Sequence, residues 1–213
     1  MTMLVLIRHG QSVWNAANRF TGWTDVKLSD KGEVEAADAG LELADVRFDA
    51  VHTSGLIRAQ RTAEIVMSKN TVSGKIPTRV DERLNERHYG DLQGLNKAET
   101  AEIHGADQVH IWRRSFDVPP PGGESLEMTA ERTIPYFVEE IIPDLGSGMN
   151  VLVAAHGNSL RSIVMYIEAI SPEDITSLEI PTGVPMYYKF DDGKISRLES
   201  VSYTHLRGGA AAW

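Results

Sequence analysis

The sequence predicts an α/β protein with three layers, α/β/α, in which a mostly parallel central sheet has helices on both faces. Two continuous apolar runs, residues 4–7 and 151–153, are typical of strands that are buried on both faces. Each run leads through a short polar segment into a stretch with apolar residues at helical spacing, and such alternation is typical of a parallel sheet. The 213 residues suit about one compact domain, so we expect a single domain over residues 1–213.

The chain is expected to open with a strand over residues 4–7 and a short helix that Ser12 caps. A longer helix should begin at Ser29 or Asp30. The residues expected on its sheet-facing side share helical spacing and are Val34, Ala37, Leu41 and Ala44.

The second strand is expected over residues 49–54, before a helix with one apolar stripe. That stripe consists of Leu56, Ala59, Ala63, Val66 and Met67. Residues 80–86 are expected to contain a strand, and residues 96–104 and 107–116 two short helices that separate near Gly105.

The second half of the chain begins with the loop 119–123, because consecutive prolines and glycines continue neither a helix nor a strand. The remaining expected elements are a helix over 125–142 bent at Pro135, a strand over 150–155, a helix over 160–170, and two strands over 186–190 and 195–202 joined by a turn at 191–193.

Charge and composition exclude several classes of protein. The net charge of −9 argues against a general nucleic-acid binder, whose affinity comes from clustered Lys and Arg. Of the 21 basic residues 14 are Arg, which is compatible with a local pocket for a small anion. No apolar run approaches the roughly 20 residues of a membrane span, no secretory signal opens the chain, and there is no cysteine, so we expect a cytoplasmic protein.

Two similar motifs follow two of the expected strands. Arg8-His9-Gly10-Gln11-Ser12 and His156-Gly157-Asn158-Ser159 share the form His-Gly-x-Ser, and each leads into a helix. The carboxyl ends of parallel strands meet at one edge of a sheet, where ligands bind. Glycine allows close approach of the backbone, and the N–H groups of a helix start attract anions, so the pair of motifs predicts a phosphate site.

The predicted chemistry at this edge is phosphoryl transfer. A neutral imidazole can attack phosphorus, which makes His9 a candidate nucleophile. Arg8, Arg58 and His156 are candidate donors to the charge that develops on the phosphoryl oxygens. The alternatives are a turn histidine with satisfied hydrogen bonds for either His-Gly, and a solvated surface arginine for Arg58.

Other candidates are weaker on the residues alone. Glu86 is a candidate proton carrier, or one partner of a surface ion pair with Arg87. Arg113 and Arg114 form either a clamp for a carboxylate or phosphate or an exposed helix face. Residues 157–161 narrowly miss the nucleophile elbow of serine hydrolases, which would need a final glycine. The other histidines show no metal-ligand spacing, so no catalytic metal is expected.

Several stretches together resemble the histidine phosphatase superfamily in its mutase branch, the 2,3-bisphosphoglycerate-dependent phosphoglycerate mutases. They are residues 8–15, 19–23, 84–90, 94–99, 112–114, 154–161 and 180–185. The resemblance covers nearly the whole chain up to about residue 202. Residues 116–123 are expected to form a short proline-rich loop at the position where longer relatives have an insertion. Residues 203–213 form a tail whose sequence diverges from that of the relatives.

This resemblance implies interconversion of 3- and 2-phosphoglycerate in glycolysis and gluconeogenesis, with 2,3-bisphosphoglycerate as the priming phosphoryl donor and no metal. It implies that His9 carries the phosphoryl group, Glu86 exchanges the hydroxyl proton and His156 stabilises the transferring phosphoryl. The residues implied around that phosphoryl are Arg8, Ser12, Asn15, Arg58, Gly157 and Asn158. Those implied for the carboxylate and other phosphate are Thr21, Gly22, Arg87, Tyr89, Lys97, Arg113 and Arg114.

Two alternatives stay open at this point. One is a bisphosphoglycerate synthase or a phosphatase of the same superfamily, which shares the first step. The other is a phosphate-binding or regulatory module without turnover. This alternative is disfavoured by the presence of His9, Arg58, Glu86 and His156. Neither a nucleic-acid nor a membrane partner is expected, and a homo-oligomer is compatible with the sequence.

Overall fold

A computed structural model describes residues 1–198 of the protein and contains a six-stranded sheet. The strands are β1 (Thr2–Arg8), β2 (Ala50–Thr53), β3 (Thr78–Val80), β4 (Val151–Ala155), β5 (Pro185–Asp191) and β6 (Lys194–Arg197). Their order is β3-β2-β4-β1-β5-β6. The four strands from β3 to β1 are parallel, β5 is antiparallel to β1, and β6 is antiparallel to β5. The mostly parallel sheet predicted from the sequence is confirmed.

The helices alternate with these strands. They are α1 (Val13–Ala16), α2 (Asp30–Glu42), α3 (Ile57–Lys69), α4 (Lys97–His104), α5 (Ala106–Arg114), α6 (Leu126–Tyr136), α7 (Ile142–Gly146), α8 (Gly157–Glu168) and α9 (Pro172–Ile175). Single 3-10 turns lie at Glu82–Leu84 and Gly90–Leu92, and a π-helical segment, Phe137–Ile141, joins α6 to α7. None of the helices within residues 1–198 combines the length and apolar character needed to cross a membrane.

The two faces of the sheet carry separate cores because side chains alternate along each strand. Val5 and Ile7 of β1 pack with residues of α2 and α3, such as Ala39 and Val66. Leu4 and Leu6 face the other side and pack with residues from α6 to α8, such as Ile163. The sheet is therefore the middle of three layers, as the sequence predicts.

The prediction for the buried face of α2 is wrong. Val34 and Leu41 are 59% and 63% exposed, whereas Ala36, Ala39 and Gly40 are buried. A Cβ at Gly40 would lie about 3.0 Å from the side chain of Lys69, so α2 and α3 pack at close range. Small residues permit that approach, and they occupy the contact face in place of the larger apolar residues.

Three element boundaries also differ from the predictions. The strand expected within residues 80–86 lies at Thr78–Val80, and the Asp81 side chain then accepts the Arg83 N–H to start a 3-10 turn. The helix expected over 125–142 ends as an α-helix at Tyr136, one residue after Pro135, and continues as the π-helical segment. The last strand ends at Arg197, and the expected residues 199–202 and the tail at 203–213 lie outside the described residues.

The helix expected from residue 160 begins at Gly157, directly after His156. The His156 N–H donates to the Ser159 hydroxyl, which fixes this first turn. Only one residue therefore separates β4 from α8. Because the connection is so short, the backbone N–H groups of the helix start lie at the edge of the sheet, where an anion would bind.

Candidate active site

The parallel pairing of β1 with β4 brings the two motif histidines together. Arg8 and Ala155 are register partners at the ends of these strands, and each is followed by a histidine. The His9 N–H continues the ladder by donating to the Ala155 carbonyl at 3.0 Å. As a result the His9 and His156 rings lie 4.9 Å apart, centre to centre, at an interplanar angle of 62°.

His9 is held in one tautomer by its neighbours. Its Nδ1 lies 2.7 Å from the Gly10 carbonyl, which only accepts, so the ring proton is on Nδ1. Its Nε2 accepts the Nε–H of Arg58 at 3.3 Å. Burial, then the charges of Arg58 and Arg8, hold the pKa of His9 well below 6.5. The ring is therefore neutral, with the lone pair on Nε2.

His156 is fully buried beside it. The Ser54 hydroxyl lies 2.7 Å from His156 Nε2 and also accepts the Leu56 N–H. Burial, then the charge of Arg58, hold the pKa of His156 well below 6.5, so this ring is neutral too. His156 Nδ1 is buried and has no hydrogen-bond partner among the described residues.

Arg58 and Arg8 place two guanidinium groups beside the rings. Arg58, 1% exposed on α3, donates to the Gly22 carbonyl at 2.7 Å and the Thr24 carbonyl at 3.1 Å. Burial lowers the pKa of Arg58 to about 10, so it keeps its charge at neutral pH. Arg8 donates through Nη1 to the Ile180 carbonyl at 2.7 Å.

Glu86 supplies the carboxylate of the site. Its Oε1 accepts the Arg87 N–H at 2.8 Å and both the N–H and the Nδ2 of Asn158 at 3.0 and 2.9 Å. Burial alone would raise the pKa of Glu86, but the charge of Arg8 and these hydrogen bonds outweigh burial and lower it. Glu86 is therefore ionised at neutral pH, and its Oε2 carries no hydrogen bond from the described residues.

These groups lie in a cleft of about 210 Å³ whose lining is strongly cationic. Within residues 1–198 seven lining side chains are basic, namely Arg8, Arg19, Arg58, Lys97, Arg113, Arg114 and Arg161. Only Glu86 and Glu179 are acidic among its described lining residues. The chain as a whole carries −9, so the cleft concentrates positive charge against the overall balance.

The structure brings most of the predicted site residues into this lining. Those that line the cleft are Arg8, His9, Asn15, Thr21, Gly22, Arg58, Glu86, Tyr89, Lys97, Arg113, Arg114, Gly157 and Asn158. Ser12, Arg87 and His156 lie behind it. The Ser12 hydroxyl accepts the Asn15 N–H while the Asn15 side chain accepts the Ser12 N–H, so Ser12 orients Asn15. Arg87 donates to the Tyr89 hydroxyl and the Arg113 carbonyl.

Arg161 is a lining residue that the sequence analysis missed. Its Nη1 donates to Asn158 Oδ1 at 3.0 Å, which turns the Asn158 amide so that Nδ2 faces Glu86. The spacing of four residues between Gly157 and Arg161 could have predicted that Arg161 lies at the cleft, because residues i and i+4 share one face of a helix.

A second group that the sequence analysis missed supports Glu86 from behind. The Arg132 guanidinium on α6 donates to the main-chain carbonyls of Arg83, Asn85 and Glu86 and pairs with Glu124. It also lies 5.4 Å from the centre of the Trp23 ring, whose Nε1 donates to the Glu86 carbonyl. These contacts to main-chain carbonyls hold the backbone of the segment that carries Glu86.

Several buried polar atoms around the cleft have no hydrogen-bond partner among residues 1–198. They include Arg8 Nε, Thr21 Oγ1, Arg87 Nε and His156 Nδ1. Buried polar atoms are normally satisfied, and donors gathered around a cationic cleft suit an anion with several oxygens. Among these same residues no cluster of three or more His, Cys, Asp or Glu has the arrangement of a metal site.

Comparison with known proteins agrees with this geometry. Residues 4–201 match the histidine phosphatase superfamily (branch 1), which is the class that the fold and the paired histidines define. A solved structure of Bacillus stearothermophilus YhfR superposes with a TM-score of 0.81 at 30% identity, over 92% of this chain and 95% of that chain. A solved structure of a mycobacterial glucosyl-3-phosphoglycerate phosphatase with VO3 superposes with a TM-score of 0.77 at 26% identity, over 94% of this chain and 98% of that chain.

Curated sequences give a closer assignment. The 2,3-bisphosphoglycerate-dependent phosphoglycerate mutase of Cytophaga hutchinsonii is 53% identical over 97% of this chain and 95% of its own length. The enzyme of the same name from Protochlamydia amoebophila is 50% identical over 90% of this chain and 96% of its own. The chain belongs to the family of 2,3-bisphosphoglycerate-dependent phosphoglycerate mutases.

Proposed function

We propose that this protein interconverts 3-phosphoglycerate and 2-phosphoglycerate, a step of glycolysis and gluconeogenesis, through a phosphohistidine at His9. The observation that carries the proposal is the neutral His9 imidazole in a cleft where seven of the described lining residues are basic, with the neutral His156 ring packed against it at 4.9 Å. The names of relatives at about 50% identity support the choice of substrate.

His9 is the proposed nucleophile. The Nε2 lone pair attacks phosphorus, and the bond from phosphorus to the departing oxygen breaks. The positive charge that develops on the ring is stabilised by the Gly10 carbonyl, which accepts Nδ1–H at 2.7 Å. Because the ring is already neutral, no proton has to leave it before attack.

His156, Arg8 and Arg58 are the proposed donors to the transferring phosphoryl group. In this proposal the His156 ring proton is on Nδ1, which has no partner among the described residues, and the Ser54 hydroxyl donates to Nε2 at 2.7 Å. A neutral donor and two guanidinium groups stabilise the charge spread over the phosphoryl oxygens. Asn15, Gly157 and Asn158 complete this part of the cleft, with Ser12 behind Asn15.

Glu86 is the proposed proton carrier. In one direction it takes the proton of the attacking hydroxyl, and in the other it returns a proton to the departing oxygen. The three hydrogen bonds on Oε1 leave Oε2 for this exchange.

The far side of the cleft is the proposed site for the carboxylate and the second phosphate. The residues assigned there are Thr21, Gly22, Tyr89, Lys97, Arg113 and Arg114, with Arg87 behind them. 2,3-Bisphosphoglycerate, when bound, supplies the phosphoryl group that primes His9. The unpartnered Arg8 Nε, Thr21 Oγ1 and Arg87 Nε support its fit, since each can bond to an anionic oxygen.

One assay tests this function. The protein is incubated with 3-phosphoglycerate, with and without catalytic 2,3-bisphosphoglycerate, while 2-phosphoglycerate and free phosphate are followed. We expect 2-phosphoglycerate as the main product and a dependence on the bisphosphate. His9→Ala is expected to lose both turnover and phosphoryl labelling, and normal labelling of this variant would refute the nucleophile.

A phosphatase activity is the second candidate, because one of the similar solved structures is named a glucosyl-3-phosphoglycerate phosphatase. It shares the attack by His9 and differs in the acceptor, which is water. Free phosphate as the main product of the assay would favour it over the mutase.

The proposal extends to the setting of the protein. We place the activity in the cytoplasm, with small phosphorylated acids as partners, and assign it to a single domain over residues 1–213.

A further inference from the structure

One carboxylate lies at the mouth of the cationic cleft. Glu179, in the segment between α9 and β5, is 69% exposed. Its Oε1 lies 2.5 Å from Arg114 Nη2 and its Oε2 lies 4.0 Å from Arg161 Nη2. Within residues 1–198 no other carboxylate lies within 4.0 Å of a basic side chain that lines the cleft. Glu179 is therefore the resident counter-ion of two pocket arginines.

Neither arginine depends on Glu179 for its position. Arg114 also donates to the Thr176 carbonyl at 3.3 Å. Arg161 donates to the Leu178 carbonyl at 2.8 Å and to Asn158. Because these main-chain and amide contacts hold both guanidinium groups, the Glu179 carboxylate contributes charge rather than placement.

A carboxylate on a guanidinium group makes the same interaction that a bound phosphate or carboxylate would make. Glu179 and an anionic ligand therefore compete for the donors of Arg114 and Arg161. The Coulomb repulsion between Glu179 and the ligand also grows with the ligand's charge. Both effects weaken binding, and the second weakens the binding of a bisphosphate most.

We propose that Glu179 is a specificity-determining residue that lowers the affinity of the cleft for anions in proportion to their charge. The identity of the natural ligands in this inference rests on the proposed function. In a cleft with seven basic residues, a ligand with two phosphates and a carboxylate would otherwise be held far more tightly than a monophosphate. Glu179 thus keeps the bisphosphate exchangeable while the monophosphate still binds.

The test compares Glu179→Gln with Glu173→Gln. Glu173 is exposed on α9, has the same charge, and its carboxylate makes no ion pair within 4.0 Å in the described part of the chain. Both substitutions are at exposed side chains, so folding is preserved. The measurements are the calorimetric Kd of inorganic phosphate, the KM for 3-phosphoglycerate and the activation constant for 2,3-bisphosphoglycerate.

We expect Glu179→Gln to lower the Kd of inorganic phosphate about threefold and the activation constant for 2,3-bisphosphoglycerate about tenfold. The KM for 3-phosphoglycerate should fall by a factor between these two. These differences should shrink in high salt, because Glu179 is largely exposed. Glu173→Gln should change each constant less than about twofold.

Two results would overturn the proposal: equal effects of the two variants, or weaker phosphate binding by Glu179→Gln. The latter would mean that Glu179 positions Arg114. Tighter phosphate binding without mutase activity in any of the proteins would support the role of Glu179 and count against the proposed function alone, since calorimetry needs no turnover.

Discussion

At His9, the two neighbouring arginines affect both the ligand and the protein. Their charges, added to burial, keep the pKa of His9 low, and the same guanidinium groups are the proposed donors to the phosphoryl oxygens. A charged imidazole could not attack phosphorus, so in the proposed mechanism the two arginines keep His9 neutral as well as attracting the phosphoryl group. The lone pair on Nε2 is consequently available throughout the neutral range of pH.

The carboxylate can be tested by an isosteric change. Glu86→Gln keeps an oxygen acceptor for Asn158 and the Arg87 N–H but cannot exchange a proton. We expect kcat to fall about a hundredfold or more, with little change in KM. Steady-state kinetics measure this effect.

Labelling of His9 by 2,3-bisphosphoglycerate provides the control, because the Glu86→Gln variant should still accept the phosphoryl group, although more slowly. A variant with undiminished kcat would remove Glu86 from the proton-transfer role.

The sequence alone indicated the residues that are proposed to react, but not the residues that support them. His9 and His156 were predictable because each follows a buried strand, and strand ends share an edge. Arg161 and Arg132 were not, since their contacts with Asn158 and with the Glu86 segment cross between elements that only the folded chain brings together.

At the scale of elements, the loop that carries His9 rests directly on the start of α2. A Cβ at Gly32 would lie 2.0 Å from the Gln11 carbonyl oxygen, and one at Gly10 would lie 2.1 Å from the Gly32 carbonyl oxygen. The two backbones are thus in contact without side chains between them. Any side chain at Gly32 must push the loop that carries His9 away from the helix.

Gly32→Ala is therefore expected to destabilise the protein by about 2 kcal/mol and to slow labelling of His9. The measurements are urea unfolding and the rate of phosphoryl incorporation. Gly146→Ala is the matched control, because a Cβ there meets no atom within 4 Å, and its helical position should gain up to about 1 kcal/mol. Equal stability of Gly32→Ala and wild type would contradict the close contact.

The face of α2 illustrates what a periodic pattern leaves open. Val34 and Leu41 recur at helical spacing and so predicted a buried face that is in fact exposed. The spacing of apolar residues carries no information on how closely a neighbouring helix packs. The stripe on α3 was predicted well, since Ala59, Ala63 and Val66 are both periodic and buried.

For the molecule as a whole, buried histidines link stability to pH. The pKa values of His9, His52 and His156 are all lowered, each chiefly by burial. Above pH 6.5 neither the folded nor the unfolded chain binds these protons. Below it the unfolded chain binds them first, so the free energy of unfolding falls as the pH falls.

His9→Gln should flatten this dependence by about 1.4 kcal/mol per pH unit below pH 6.5. Urea unfolding at several pH values between about 5 and 7 measures the slope. An unaltered slope in the His9 variant would show that His9 takes up its proton equally in both states.

The ladder between β1 and β4 has a further consequence for how the protein acquires activity. The histidines that follow its two strands, His9 and His156, come from distant parts of the polypeptide, so neither half of a partly folded chain can carry out turnover. Local helices form early during refolding, whereas pairing of distant parallel strands comes late. The rate at which catalytic activity returns after dilution from denaturant therefore reports when the central sheet forms. This activity should return later than the circular dichroism signal of the helices.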